Sequence, residues 1–226
     1  MGKQEKGLSR RQMLGMAIGL GGFALSGKTG SVFAQAANRL FTPPLTSGPF
    51  YPQIKPLDQD ADLTVLAGKK GPAQGKVIHL TGRVLNLKGE PVSGAKVEIW
   101  QADANGRYSH DSDPNPGPRD PNFQGYGVQK TDAEGRYRFK TIKPGAYPGL
   151  IAGMRTPHIH FEVEGKVDRV ITQVFFPDEP LNEQDSILQS IKGPRKEALI
   201  VRMMPPTKGM EADSVHAVWD VILRKG

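Results

Sequence analysis

Short alternating segments separated by glycine and proline turns are the feature that most limits how this chain can fold. Residues 76–85 (KVIHLTGRVL) and 95–103 (AKVEIWQAD) alternate apolar and polar side chains, with the turn residues KGEPVSG between them. Such alternation places successive side chains on opposite faces of a strand. We therefore predict an all-β fold, an antiparallel β-sandwich with long loops and at most short helices. Further strands are predicted at 125–132, 135–142, 157–165, 168–176, 197–204 and 214–223, and one short helix at 182–191.

The first residues have the layout of an export signal. Residues 1–12 are basic, residues 13–27 carry no charge, and small residues lead to Ala36. The stretch SRRQML, which contains Arg10 and Arg11, matches the twin-arginine signal. We predict a twin-arginine signal peptide over residues 1–36. The protein would then be exported to the periplasm or secreted, without stable membrane association after cleavage.

The remaining chain divides into an arm and one domain. Residues 37–75 are rich in proline and polar side chains, which predicts an extended N-terminal arm that wraps a core. Residues 76–226 hold the alternating segments and are predicted to form the β-sandwich domain.

Charge and cysteine content exclude several classes of function. The formal net charge of the whole chain is +7. Residues 1–36 account for +4 of it, so the rest carries only +3. No stripe of lysine and arginine with interleaved aromatics is present, so we predict no nucleic-acid partner. The sequence has 0 cysteines, which excludes disulfides, thiolate zinc sites, iron–sulfur clusters and a cysteine nucleophile.

A pair of histidines lies in the segment RTPHIHFEV, residues 155–163. His158 and His160 are two apart in a predicted strand, so both imidazoles point to the same face. Such a pair supplies two nitrogen ligands and suits zinc, copper, iron or nickel. The pair alone does not name the metal, and an accidental pair on a strand remains the alternative.

Two long irregular stretches interrupt the strands, at 105–124 and 143–156. Each contains one tyrosine, Tyr108 in the first and Tyr147 in the second. Long connections without secondary structure in a compact domain are usually functional. Ordinary loop packing is the alternative for either tyrosine taken singly.

A family resemblance joins these residues. The run LTGRVLNLKGEPVSGAKVEIWQADANGRYSH (80–110) resembles the signature of the intradiol ring-cleavage dioxygenases. The segments TDAEGRYRFKTIKPGAYP and RTPHIHF resemble the protocatechuate 3,4-dioxygenase-like branch of that family, and the resemblance extends from GPFYP (48–52) onward. It implies a non-haem Fe(III) cofactor. The implied iron ligands are Tyr108, Tyr147, His158 and His160.

The donor types suit the implied metal. Phenolates are hard anionic oxygen donors, and together with two imidazoles they favour Fe(III) over soft or divalent ions. A free tyrosine has a pKa of about 10, but a bound cation holds the phenolate deprotonated. A copper or zinc hydrolase lacks support, because no carboxylate or third histidine has a matching spacing.

The resemblance also implies a reaction. A catechol-type ring of the protocatechuate, catechol or hydroxyquinol class would be cleaved with O2 to a cis,cis-muconate. Tyr147 would leave the metal and accept a substrate proton, and Arg155 would stabilise anionic charge on the ring. Gln173 and Tyr51 are implied to bind substrate. The implied partners are therefore a small aromatic diol and O2, and a homo-oligomer is left open.

Two alternatives remain open at this level. Lys166 and Arg169 follow the histidine strand, and they either meet a ring carboxylate or are solvated charges. Residues 80–147 also have the pattern of transthyretin-like accessory sandwiches, which bind or space other modules and catalyse nothing. Because the dioxygenases share this transthyretin-like core, the fold does not separate the two functions.

Overall fold

The computed structural model describes residues 40–150 and 153–226. The predicted signal peptide lies outside the described residues. Within them the chain forms eleven strands and three short helical segments. The strands are β1 Val77–Asn86, β2 Lys96–Trp100, β3 Tyr126–Lys130, β4 Arg136–Ile142, β5 Tyr147–Pro148, β6 Met154–Arg155, β7 His158–Glu164, β8 Arg169–Phe175, β9 Arg202–Met204, β10 Val215–Val218 and β11 Val221–Leu223.

The first sheet is built around β1. Strand β4 pairs antiparallel to one edge of β1, while β10 and β11 pair parallel to the other edge, one after the other. Strand β9 completes the sheet by pairing antiparallel to β10. The predicted antiparallel pairing is thus present at β4 and β9, whereas the parallel pairing of β10 and β11 makes this sheet mixed. Alternation along one strand carries no information on the direction of its partner.

The predicted strand at 214–223 is two strands rather than one. Asp220 lies between β10 and β11, and its carboxylate accepts a hydrogen bond of 2.8 Å from the backbone N–H of Arg83 in β1. A side chain therefore replaces the backbone ladder at this point. The predicted strand at 197–204 begins only at Arg202, because the end of helix α2 (Pro194–Glu197) and the turn after it occupy the first residues of this stretch.

The second sheet carries the histidine pair. Its order is β3-β2-β7-β8, and every pairing in it is antiparallel. The register sets Trp100 of β2 opposite His160, and Gln173 of β8 opposite His160 on the other side. His158 lies opposite Phe175. This register gathers large polar and aromatic side chains on one face.

The two sheets enclose one apolar core. Side chains of alternate residues on β1, β2, β4 and β7 meet there, and each apolar side chain fully removed from water contributes roughly 1.5–3 kcal/mol. The predicted all-β sandwich is confirmed. Fully buried members of this core include Ile78, Leu80, Val97, Ile99, Ile142, Ile159, Phe161 and Val163.

The predicted helix at 182–191 is broken in two. A 3-10 helix spans Pro180–Glu183 and α1 spans Ser186–Gln189. Asp185 separates them with extended backbone angles, and its side chain accepts hydrogen bonds from the N–H groups of Ile187 and Leu188. Asp185 is therefore the N-cap that starts a new helix. Among the described residues, no helix is long and apolar enough to cross a membrane.

Residues 40–75 contain no helix and no named strand in the described chain. Their backbone is hydrogen-bonded to both sheets: the N–H of Thr42 donates to the carbonyl of Ile222, and that of Leu45 donates to the carbonyl of Ile171. Further along the same segment, Phe50 packs against the outer face of the second sheet, and its side chain is buried there.

Candidate metal centre

The two histidines of β7 point to the outer face of the second sheet and are buried. Their Nε2 atoms lie 3.2 Å apart. The Nδ1 atom of His158 lies 2.6 Å from the carbonyl oxygen of Thr156. Since a carbonyl can only accept, Nδ1 carries the proton and Nε2 presents a free lone pair. A second contact of this kind is the usual way to fix the tautomer of a metal-binding histidine.

The two tyrosines bring their hydroxyl groups to these nitrogens. The hydroxyl of Tyr108 is 3.1 Å from Nε2 of His160, and that of Tyr147 is 3.3 Å from Nε2 of His158. The tyrosine rings are nearly perpendicular, with centroids 5.3 Å apart. The two loop tyrosines and the two strand histidines predicted as ligands are therefore brought together in one cluster.

Local interactions bring the two loops into contact. Gly106 has a φ of +75°, and a Cβ atom there would lie 2.2 Å from the carbonyl oxygen of Ala146. Only glycine allows this approach of the Tyr108 loop to the Tyr147 loop. The carboxylate of Asp113 accepts a 2.6 Å hydrogen bond from the N–H of Tyr108. This hydrogen bond therefore holds the backbone of Tyr108 in place, and the backbone positions the side chain.

The donor set fits a hard, highly charged metal ion. Ligand atoms bound at about 2.0–2.1 Å to one ion lie about 3 Å from one another, close to the spacing of these four atoms. In residues 40–150 and 153–226, no three His, Cys, Asp or Glu side chains form a metal-binding group. The available donors are thus two imidazoles and two phenols, and oxygen donors of this kind favour Fe(III) over softer ions.

Burial sets the protonation of the metal-free cluster. It raises the pKa of both Tyr108 and Tyr147 above the ordinary value of 10.0. Burial, together with the charge of Arg155, lowers the pKa of His158 to about 3, and burial also lowers that of His160. At neutral pH the four groups are uncharged. A bound cation would displace the phenol protons and reverse this preference.

Aromatic side chains enclose the cluster. Trp100 stacks on His160 with ring centroids 4.9 Å apart and planes 8° apart. Phe50 packs on Tyr108 at 4.8 Å and on Tyr147 at 6.0 Å. These apolar walls keep water from the donors and hold their rings in place.

Arg155 lies beside the cluster. Strand β6, which contains Arg155, pairs with β5 so that Arg155 is opposite Tyr147. Its Nη1 atom is 3.4 Å from the Tyr147 hydroxyl, and its Nη2 atom donates to Oε1 of Gln173 at 2.6 Å. Gln173 in turn donates from Nε2 to the carbonyl of Thr46 at 2.8 Å. The predicted arginine and glutamine therefore form one hydrogen-bonded chain next to the donors.

Tyr51 is separated from the four donors. Its ring meets the far edge of Trp100 at 4.8 Å, and its hydroxyl donates to Glu98 at 2.9 Å. Lys55 also binds Glu98, at 3.1 Å. Burial and the Glu98 carboxylate raise the pKa of Tyr51 above its ordinary value. Phe50, the neighbour of Tyr51, is the residue of this segment that packs on Tyr108 and Tyr147, so a direct substrate contact by Tyr51 stays a prediction.

Comparison with known proteins identifies the family. The family model described as dioxygenase matches residues 46–225, which include all four donors and Arg155. The protocatechuate 3,4-dioxygenase beta chain of Burkholderia cepacia is 45% identical over 175 residues, which cover 76% of this chain and 73% of that one. The chain belongs to the intradiol ring-cleavage dioxygenases. This family is generally dependent on non-haem Fe(III).

Other similar proteins are named for a different diol or for none. A hydroxyquinol 1,2-dioxygenase from Rhizobium sp. is 32% identical over 128 residues, covering 50% of this chain and only 42% of that one. Among solved structures, the dioxygenase domain of a carbohydrate-binding fusion protein from Streptomyces sp. SirexAA-E has a TM-score of 0.61 and 26% identity, and covers 82% of this chain and 99% of that one. Relatives named for protocatechuate and for hydroxyquinol thus belong to the same family of ring-cleaving enzymes.

Three residues of the site were not singled out in the sequence. Phe50 and Trp100 lie in the quoted motifs GPFYP and VEIWQAD, but a strand pattern does not state which loop covers an aromatic side chain. Asp185, which binds Arg155, is 30 residues away in sequence. Its only local signal was an aspartate before an apolar run, which is typical of a helix N-cap.

Proposed function

We propose that this protein is a non-haem Fe(III)-dependent intradiol dioxygenase that cleaves a catechol-type ring of the protocatechuate, catechol or hydroxyquinol class with O2. The proposal rests on the convergence of two phenol oxygens and two imidazole nitrogens. Neighbouring atoms of this set are 3.1–3.3 Å apart. The ligands would be Tyr108, Tyr147, His158 and His160. Ferric iron, when bound, would supply the Lewis acidity that favours the deprotonated diol and makes its ring reactive toward O2.

The residues around the donors supply the remaining chemistry. The Tyr147 phenolate oxygen would accept a proton from the entering diol. Tyr108 and the two histidines would stay as fixed ligands, because the Tyr108 N–H donates to Asp113, His158 donates to the Thr156 carbonyl and Trp100 stacks on His160. The guanidinium of Arg155 stabilises negative charge that develops on the ring. Both atoms of O2 enter the muconate, so the reaction balances without an external reductant.

The substrate is proposed only as a class. Arg169, one of two candidates for a ring carboxylate, donates from Nη2 to the Glu162 carboxylate at 2.9 Å. This ion pair offers an explanation for Arg169 that needs no charged substrate. A panel of protocatechuate, catechol and hydroxyquinol in an oxygen-uptake assay separates the three classes by their kcat/KM values.

A visible absorption spectrum of the iron-loaded protein tests the proposal. Tyrosinate bound to Fe(III) gives a charge-transfer band, and anaerobic addition of a true substrate should shift it. Tyr108→Phe and Tyr147→Phe should each weaken the band. Tyr137→Phe is the matched control, because its hydroxyl donates to the Trp219 carbonyl in the other sheet. A colourless protein that stays colourless after ferric reconstitution would instead support the non-catalytic spacer function.

Export and assembly are separate proposals. We propose that the Arg10-Arg11 pair directs export by the twin-arginine route, and Lys substitution of both residues in a full-length chain should retain the protein in the cytoplasm. The relatives include proteins named beta and alpha chains of protocatechuate 3,4-dioxygenase. We therefore propose that this chain forms an oligomer, which light scattering of the purified protein at several concentrations would detect.

A further inference from the structure

Asp185 is a carboxylate with 0% of its surface exposed, and it lies next to the candidate metal centre without touching the four donors. Its Oδ2 atom accepts hydrogen bonds from Nε of Arg155 at 2.8 Å and from the N–H of Thr156 at 3.1 Å. Its Oδ1 atom accepts from the N–H groups of Ile187 and Leu188 at 3.0 and 2.9 Å. Both oxygens are therefore fully engaged.

These contacts make Asp185 a rigid anchor. One oxygen is held by the first turn of α1, so the carboxylate does not rotate freely. The other oxygen meets Arg155 and the backbone of Thr156, which is two residues before the His158 ligand. Hydrogen bonds between charged groups are about twice as strong as neutral ones, and the buried setting strengthens the pair further.

The guanidinium of Arg155 is oriented by three different partners. Nε is bound by Asp185, Nη2 by Gln173 and Nη1 lies 3.4 Å from the Tyr147 hydroxyl. Asp185 is the only one of the three that carries a full negative charge while Tyr147 is protonated. Without it, a buried cation would keep only the neutral Gln173 amide and the more distant Tyr147 hydroxyl, and its long side chain would be free to turn away from the four donors.

We propose that Asp185 is a positioning residue, which holds the guanidinium of Arg155 with Nη1 directed at the Tyr147 hydroxyl. The inference rests on the proposed function, since it assigns Asp185 a part in the same reaction. It goes beyond that function because it places the determinant of the arginine position in the N-cap of α1, outside both ligand-bearing segments.

Steady-state kinetics of Asp185→Asn test the catalytic part. The amide keeps the shape of the side chain and the α1 cap but loses the charge. We expect kcat to fall about 10- to 100-fold, the usual effect of misplacing a catalytic group by about 1 Å, with KM and iron content nearly unchanged. Glu179→Gln is the matched control, because Glu179 forms an ion pair with Lys143 and has no contact with Arg155. Equal kcat values for the two variants would overturn the proposal.

A second variant tests whether the loss of kcat comes from the lost contact with Arg155 rather than from loss of folding. Asp185→Ser also caps a helix N-terminus well, but its short side chain cannot reach Arg155. It should show the same loss of kcat as Asp185→Asn. A double variant with Arg155→Gln should be no slower than Arg155→Gln alone, because Asp185 acts through Arg155. Additive losses in the double variant would contradict action through the arginine.

A readout without turnover separates this inference from the proposed function. In metal-free protein labelled with ¹⁵N-arginine, the Nε–H of Arg155 should exchange slowly with solvent, and its signal is assigned by its absence in Arg155→Gln. Exchange should accelerate in Asp185→Asn and Asp185→Ser but not in Glu179→Gln. If the wild type cleaves no diol while exchange behaves in this way, the proposed function fails and the positioning contact stands. Unchanged exchange in the Asp185 variants would overturn the contact itself.

Discussion

Trp100 lies flat on the ring of His160, with 8° between the two planes and 4.9 Å between their centroids. The pairing follows from the sheet, because Trp100 and His160 are directly opposite in the β2–β7 register. The Nδ1 atom of His160 is buried and has no hydrogen-bond partner among the described residues. Packing by Trp100, rather than a hydrogen bond from behind, therefore sets the orientation of this imidazole.

Removing the indole should loosen His160 and destabilise the protein. Trp100 is buried, and truncation of such a residue to alanine costs about 3–5 kcal/mol. Trp100→Ala should lower the free energy of unfolding by this amount in urea titrations of the metal-free protein. Trp100→Phe, which keeps an aromatic surface against His160, should lose less than half as much. Equal losses would show that stacking on His160 contributes little.

Iron removal should lower the stability of the folded protein. A ligand that binds only the folded state stabilises it, by about 2.7 kcal/mol when its free concentration is 100 times Kd. Addition of ferric iron to chelator-treated protein should therefore raise the melting temperature. The double variant Tyr108→Phe/Tyr147→Phe lacks both anionic donors and should show no rise. A rise of the same size in this variant would place the bound iron elsewhere.

Gly82 in β1 should not tolerate a side chain. A Cβ atom there would lie 1.7 Å from the carbonyl oxygen of Trp219 and 2.8 Å from the Tyr137 hydroxyl. Gly82→Ala should destabilise the protein by about 3 kcal/mol or more, the upper range for an overpacked core. Gly94→Ala serves as the comparison: its φ of +74° is strained for alanine, but no atom lies within 4 Å of the new Cβ. It should cost about 1–2 kcal/mol, measured by the same denaturation.

Stability should fall in acid because of Asp185. Burial alone raises its pKa, but the charge of Arg155 and hydrogen bonds from Leu188 outweigh burial and hold the pKa below the ordinary 3.8. The folded state therefore binds this proton less readily than the unfolded state. The stabilising contribution is fully present above pH 3.8 and is lost as the pH falls below it.

Urea unfolding of wild type and Asp185→Asn between pH 3 and pH 6 measures this contribution. The difference in unfolding free energy should be constant in the upper part of the range and should shrink toward pH 3. A difference that does not vary with pH would mean that the carboxylate is protonated equally in both states.

The sequence predicted the strands and the shared face of the histidine pair, because both depend on local periodicity. The parallel pairing of β10 and β11 with β1 could not be predicted, since alternation is the same for either direction of a neighbouring strand. Likewise, the periodicity at 182–191 did not reveal that Asp185 would end one helix and begin another.

The candidate ligand set likewise combines residues that local spacing indicates with residues that it does not. His158 and His160 were predicted from spacing within one strand. Tyr108 and Tyr147 lie 39 residues apart in separate loops, and only the family resemblance joined them to the histidines. Tyr51 was predicted from its position in GPFYP, and its contact with substrate stays a prediction; its neighbour Phe50, which was not predicted, packs on the two tyrosines. Side-chain direction in a segment without regular structure has no period from which to predict it.

The double pairing of β1 has a consequence for how the chain is made. Strands β10 and β11 are synthesised more than 120 residues after β1, so one edge of β1 has no partner until those residues have been made. Contacts of such high sequence separation slow folding, and an open strand edge invites pairing with other chains. The second sheet, whose four strands all precede residue 176, can form earlier. The nascent chain can thus assemble the strands of the candidate centre while the first sheet still awaits its last residues, and this interval is where aggregation of the newly made protein should begin.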